Sequence, residues 1–306
     1  MSAKLISTML AAMVLLSFVA VAEQPADLKP SILASAESVN SYKVAVSNVV
    51  KDTFTNSTGS YLVTVTTTTN SAYDRNAGAS GATTTNTVDF NGNRLGSGVT
   101  QAYLMGGMIY NNINNNWTKY SVSNPAAVLD QLDDYKGNAQ FIYNTTVDVL
   151  GTDQIDGKNY YKLQVTPAMG FLDFVALDQL VSALYRSPIM LPAMLSPSDI
   201  VNATSNGNAL LKNSNITWTV WVSQDSYQIR RILNSAKVSV SPDMLNLPPN
   251  KKPAFSLDIE SSVTFDYSDI NMPVNLALPS AAQNAITVNP SAQAGAPTGA
   301  PTGAPA

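Results

Sequence analysis

The 306-residue chain has no cysteine and no histidine. Without cysteine there are no disulfides, no thiol nucleophile and no acyl anchor at a lipobox cysteine, so a folded domain must be held by its own core. Without histidine there is no Ser-His-Asp triad and almost no route to a zinc, iron or copper site. Charge is scarce as well. Charged residues make up 12% of the chain, and glutamate occurs only at positions 23, 37 and 260. The formal net charge is −4, which argues against nucleic acid and against simple electrostatic docking on anionic lipid.

The first 22 residues, "MSAKLISTMLAAMVLLSFVAVA", carry Lys4 as their single charge, an apolar run and an A-x-A site at Ala20–Ala22. This pattern predicts a secretory signal peptide, 1–22, rather than a retained anchor. Five N-x-S/T sequons follow, at Asn56, Asn116, Asn144, Asn202 and Asn215. Each is weak in so Asn- and Thr-rich a chain, and together they suit a glycosylated extracytoplasmic surface. The end, residues 286–306, repeats "GAPT" without apolar periodicity and is expected to be a disordered tail.

Between these ends the sequence reads as one domain, 27–285. An amphipathic helix in "KPSILASAESVNSY" is followed by alternating, β-branched strands: "KVAVSNVV", "SYLVTVTTTT", "TTTNTVDFNGN", "VTQAYLMGGMIYNN" and "NWTKYSV". The pair Gly106-Gly107 is expected to make a bulge or bend inside one strand. Asn124-Pro125 starts a helix, and "QFIYNTTVDVLGTDQIDGKNYYKLQVTP" is expected to be two strands turning at Asp156-Gly157. A second long hairpin spans "NITWTVWVSQDSYQIRRILNSAKVSVS", and "FSLDIESSVTFDYSDI" is a further strand before "MPVNLALP" closes the sheet. Segments 72–85 and 202–215 read as polar loops. The period-2 pattern and the lack of strand–helix alternation exclude a parallel α/β fold. They predict an α+β domain: a strongly curved antiparallel sheet, a half-barrel, with helices packed on its concave face.

The least polar stretch of this domain is "FLDFVALDQLVSALYRSPIMLPAML", 171–195. Pro188 and Pro192 leave about 16 residues for a helix, fewer than the ~20 that span a bilayer, and Asp173, Asp178 and Arg186 interrupt it. Phe171, Phe174, Val175, Leu177, Leu180, Val181 and Leu184 form a wide apolar stripe, and Ile189, Met190, Leu191, Met194 and Leu195 an apolar, Met-containing loop. Burying such side chains contributes about 1.5–3 kcal/mol each. Two readings stand: the segment closes a solid core, or it lines and gates a cavity for an apolar ligand, with Trp218 among the aromatics facing it. Trp218 and Trp221 cannot share one face of a regular strand.

Catalytic constellations are sparse. Asp130, Asp133 and Asp134 read as a solvated helix end, and Asp266 and Asp269 as a turn. Either Asp130–Asp134 or Asp153–Asp156 leaves calcium open, but no D-x-D-x-D-G loop exists. No cofactor and no metal is expected.

The order of elements resembles the LolA/LolB and LppX/LprG superfamily of exported lipid and lipoprotein carriers. The resembling residues are "LASAESVNSYKVAVSNVV", "MGGMIYNNINNNWTKY", "VLGTDQIDGKNYYKLQV", "ITWTVWVSQDSYQIRRI" and "SSVTFDYSDINMPVNLALPSAA", covering most of 31–285. Each motif is strand–turn chemistry, so their order carries more weight than any one match. The resemblance implies a concave face that holds acyl chains or another apolar ligand, without identifying it. It therefore points to an exported, non-enzymatic binding protein of the cell envelope, whose partners are a lipid or other apolar molecule and a membrane or envelope protein that loads or unloads it. The competing expectation is a glycosylated cell-surface structural or adhesive protein with a solid core. A hydrolase built on aspartates is a third.

Overall fold

A computed structural model describes residues 28–186, 212, 214–244 and 255–288. The expected leader, the loop 187–195, Asn202 and the GAPT repeats lie outside the described residues. The element order begins with α1 (Leu28–Glu37), then a meander of six strands: β1 (Ser41–Asn56), β2 (Gly59–Asp74), β3 (Ala79–Phe90), β4 (Asn93–Met105), β5 (Met108–Ile113) and β6 (Asn116–Ser121). Two short helices, α2 (Pro125–Gln131) and α3 (Asp134–Tyr143), lead into β7 (Thr146–Ile155) and β8 (Lys158–Thr166). Helix α4 (Met169–Arg186) is followed by β9 (Ser214–Ser223), β10 (Ile229–Val240) and β11 (Phe255–Ser268), and the chain ends in α5 (Ser280–Gln283) and β12 (Ile286–Thr287).

All twelve strands form one open sheet in the order β12-β6-β5-β4-β3-β2-β1-β11-β10-β9-β8-β7. Each meander is antiparallel, and β1 joins them by pairing with β11 along its length, Lys43 opposite Ser268 through Asn56 opposite Phe255. The result is the curved half-barrel expected for this pattern, with helices on one face.

Local chemistry explains the turns. Asn91-Gly92, Gly106-Gly107, Asn114-Asn115 and Asp156-Gly157 all have both residues at positive φ, the two-residue hairpin geometry that matches strand twist and that Gly, Asn and Asp tolerate. Gly106-Gly107 is thus a hairpin turn between β4 and β5, not a bulge inside one strand. Segment 72–85, expected as a loop, is mostly paired strand: Thr83 and Ala82 lie opposite Asn70 and Ser71. Thr and Ser fit a pleated surface as well as a loop, and their polarity hid the pairing.

The helices after β6 also differ from expectation. Asn124 caps α2 by accepting the Ala127 amide at 3.1 Å, with Pro125 in the first turn. Asp133 then caps a second helix by accepting the Lys136 amide at 3.1 Å. Helix α3 therefore takes in Gln140–Tyr143, which the β-like "QFIY" run assigned to a strand.

Segment 273–279, expected to close the sheet, has no regular structure. It crosses the convex face. The Asn271 amide donates to the Ser41 carbonyl at 2.8 Å and the Ser41 hydroxyl to the Met272 carbonyl at 2.8 Å. Leu276 lies over Gly81, where an added Cβ would come within 2.6 Å of the Tyr103 ring. The sheet is closed instead by β12, parallel to β6, and the Val288 amide donates to Lys119. Residues 286–288, assigned to the tail, belong to the sheet. Among the described residues, no helix is long and apolar enough to cross a membrane.

Candidate ligand site on the concave face

Alternation places Tyr42, Val44, Val46, Asn48, Val50, Asp52 and Phe54 of β1 on the helix-covered, concave face. The register carries this face across the sheet. Val46 is opposite Phe265 and Thr69, Asn48 is opposite Val263 and Thr67, and Val50 is opposite Ser261 and Val65. On β10, Asn234 is opposite Val263, and on β9, Trp218 is opposite Asn234.

Two separate apolar clusters form on this face. The first lies beneath α1 and α3 and is rich in tyrosine. Tyr42, Tyr73, Tyr135 and Tyr267 are buried together. Tyr42 stacks on Tyr73 at 5.1 Å, and Tyr135 meets Tyr267 edge-on at 4.9 Å. Three of the hydroxyls are committed, those of Tyr42, Tyr135 and Tyr267. Tyr42 donates to Asp134 Oδ1 at 2.5 Å, Tyr135 accepts the Ile229 amide at 2.8 Å, and Tyr267 accepts Asn138 Nδ2 at 2.8 Å. Arg75 Nη2 reaches Asp133 Oδ2 at 2.7 Å. The expected solvated helix end is therefore corrected: Asp133 is buried and only Asp130 stays in water. An acidic run beside a helix start reads as solvated because the tyrosines that bury it come from β1, β2 and β11. Burial pushes the Asp134 carboxyl up to about 6, against the Tyr42 hydrogen bond that lowers it. Burial also raises Tyr42, Tyr135 and Tyr267, so all stay neutral hydroxyls.

The second cluster is aliphatic. Val50, Phe54, Val63, Val238, Val240, Leu257 and Ile259 line the sheet, and Ala176, Leu180 and Ala183 of α4 lie on them. The spacing 176, 180, 183 is one helical stripe, and its two alanines let the helix approach closely. One ion pair fixes the end of α4. Arg186 Nε and Nη2 bind Asp52 Oδ2 and Oδ1 at 2.7 and 3.2 Å, and Asp52 is fully buried. A cation in the last turn also complements the helix dipole.

Helix α4 bridges the two clusters. Phe171, Leu172 and Val175 pack against the first, with the Phe171 ring 5.7 Å from Trp218 and 5.4 Å from Phe141. At about 1.5 Å per residue its 18 residues run about 27 Å. Between the clusters the face is not sealed: Asn48, Val263, Asn234 and Thr67 are only half-buried, as are Val46 and Phe265 at the edge of the first cluster. Ile216 packs against both clusters and marks the gap from the β9 side.

The residues picked out by sequence are thus divided. Phe171, Val175 and Trp218 come together in the first cluster of the concave face, and Leu180 lies in the second. Val181 is half-buried and belongs to neither cluster. Phe174, Leu177 and Leu184 lie on α4, and Ile189, Met190, Leu191, Met194 and Leu195 are outside the described residues. Trp221 faces the convex side, donating to Asp153 at 3.1 Å beneath Lys162. The middle row of Val46, Asn48, Val263, Phe265 and Asn234 was missed. The polar residues in these alternating strands gave the signal, but only register shows that they align. Of the candidate glycosylation positions, Asn116, Asn144 and Asn215 are exposed, while Asn56 spends its amide oxygen on Thr58 and Gly59 within its own turn.

No protein-family model matches the chain, and no curated protein matches it. Among solved structures it is similar to the lipoprotein LppX of Mycobacterium tuberculosis, at 15% identity and a TM-score of 0.34, covering 82% of this chain and 98% of that one. It is also similar to LprF from Mycobacterium bovis, at 14% identity and a TM-score of 0.37, covering 83% and 95%. A putative outer membrane lipoprotein-sorting protein domain from Vibrio parahaemolyticus is similar at 8% identity and a TM-score of 0.20, covering 84% and 96%. The half-barrel itself is read from the strand order and register of this chain, and the chemistry of the site rests on its own residues.

Proposed function

We propose that this protein binds a lipid-class, elongated apolar molecule between α4 and the concave face, without catalysing a reaction on it. The observation that supports this most directly is the unsealed gap. Val263 is only half-buried between the two clusters, as are Val46 and Phe265 at the edge of the first, on the inside of a curved sheet. A solid core of this size would close over them, because leaving apolar surface in water costs about 25 cal/mol per Å². Helix α4 is a suitable cover. It touches both clusters through small or separate contacts and is pinned at its end by Arg186–Asp52.

In this reading Phe171, Val175 and Trp218 line the site on the side of the first cluster and Leu180 on the side of the second, and Phe174, Leu177, Val181, Leu184 and the 189–195 segment form its rim and gate. The chain works outside the cytoplasm, exported by residues 1–22, with glycans on its exposed sequons, and exchanges its ligand with a membrane or an envelope protein.

Native purification, solvent extraction and mass spectrometry test the proposal, together with thermal shift on adding stearate or a phospholipid. Co-purifying lipid and a ligand-dependent rise in melting temperature are expected. Val263→Trp, which fills the gap, should abolish both while the fold is kept. Consistent absence of lipid, with no thermal shift for any acyl compound, would sink it.

A further inference from the structure

The gap is not uniformly apolar. Along one line perpendicular to the strands, the register aligns Asn234 of β10, Val263 of β11, Asn48 of β1, Thr67 of β2 and Asn86 of β3. Directly on one side of this line lie Ile232, Phe265 and Val46, and on the other Ala236, Ser261, Val50 and Val65. A polar row therefore crosses the concave face between the two apolar clusters.

Two of its members are incompletely satisfied. The amide oxygens of Asn48 and Asn234 are buried and have no hydrogen-bond partner. Among the described residues, the other buried, unpartnered side-chain atoms lie elsewhere: Tyr73 Oη and Arg75 Nε belong to the tyrosine–aspartate cluster, and Asn112 Oδ1 to the convex face. A buried acceptor without a donor is costly to keep, so two in one row on this face mark a place where a donor arrives from outside. Asn48 and Asn234 are separated by one strand, about 10 Å, so each reads its own group.

The chemistry of that donor is restricted. A cation is disfavoured, because the carboxylate on this face, Asp52, is already held by Arg186 on two sides, and an unpaired charge is costly to bury. A hydroxyl fits best. It is neutral, both donates and accepts, and can be carried on a hydrocarbon chain whose two arms lie along the flanking clusters.

Building on the lipid-binding reading, we infer that the row Asn48–Asn234 recognises a hydroxyl in the middle of an acyl chain, so that the site selects hydroxylated over plain chains. The test compares stearate with a mid-chain hydroxystearate on the full chain, by titration calorimetry or displacement of a polarity-sensitive dye. The wild type should prefer the hydroxylated acid by about tenfold, the value of one satisfied buried group. One of the two variants Asn48→Leu and Asn234→Leu, the one at the amide that meets the hydroxyl, should cut that preference severalfold, while both bind stearate at least as well. Equal affinity of the wild type for both acids would overturn the inference and assign the row to bridging water, with lipid binding intact. A hydroxyl preference unchanged in both variants would overturn it too, placing selection elsewhere. Binding of neither acid would instead overturn the lipid reading beneath it.

Discussion

The two apolar clusters of the concave face are built on opposite principles. The tyrosine cluster is aromatic and tied by directional bonds: Tyr42 to Asp134, Tyr135 to Ile229, and Tyr267 to Asn138. The aliphatic cluster under α4 is held by shape, by two alanines in the helix stripe, and by one ion pair at its end. Hydrogen-bonded networks fix one arrangement because each broken bond leaves a buried polar group. Aliphatic contacts tolerate sliding, since each atom pair contributes little and none is directional. The first cluster is a foundation fixed by directional bonds, and the second seats α4 through contacts that no single bond directs.

Substitutions that break this contrast should differ in size and in kind. The largest effect is expected from Tyr267→Ala. It empties the centre of the foundation, removes the edge-on contact to Tyr135 and strands Asn138, so stability should fall by about 4 kcal/mol in denaturant unfolding, with the whole domain affected. Arg186→Met comes next, at about 3 kcal/mol, because it leaves the buried Asp52 unpaired. Its signature is local: hydrogen exchange and proteolysis should rise in α4 before the sheet. Adding Asp52→Leu should recover most of that loss, as apolar replacement of a buried pair is close to neutral. If the double variant is no better than Arg186→Met, the ion pair is not what pins the helix.

Tyr135→Phe is smaller and sharper. The ring stays, but the Ile229 amide, at the bulge where the β9–β10 register shifts, loses its acceptor. A loss of about 2 kcal/mol is expected, read as lower denaturation midpoint with unchanged slope. A negligible effect would mean the tyrosine cluster is held by packing alone, and the contrast with α4 would lose its basis.

Much of this was legible in the sequence. Alternation in "ITWTVWV" and the Asp156-Gly157 turn give strands and a hairpin directly, and the prolines after Arg186 with the stripe from Phe171 give a helix too short for a membrane. What was not legible depended on partners distant in the chain. Asp133 and Asp134 look like a wet helix end until β1, β2 and β11 bring tyrosines over them. Gly106-Gly107 fits a bulge or a turn equally well, and only the pairing of Met105 with Met108 decides it. The row from Asn234 to Asn86 is scattered over five strands, four of which give it polar residues, and no local pattern links them. Register is a long-range property, and the candidate site is defined by register.

The smallest effect concerns charge within the foundation. Asp134 faces Asp133, Tyr42 and Tyr267, with Arg75 beyond Asp133, and burial lifts its carboxyl from 3.8 to about 6. Between those values the folded protein holds a proton that the unfolded chain releases, so this group favours folding at acid pH and loses that contribution as pH rises through about 6. Asp134→Asn removes the ionisation while its amide oxygen can still accept the Tyr42 hydroxyl. The difference in melting temperature, variant minus wild type, should therefore be near zero around pH 4 and grow to a few degrees positive by pH 7. The other carboxylates are common to both proteins and cancel in that difference. A variant that is less stable at pH 7 and matches the wild type only in acid would show that the charged Asp134 stabilises the fold, with the Tyr42 hydrogen bond outweighing burial.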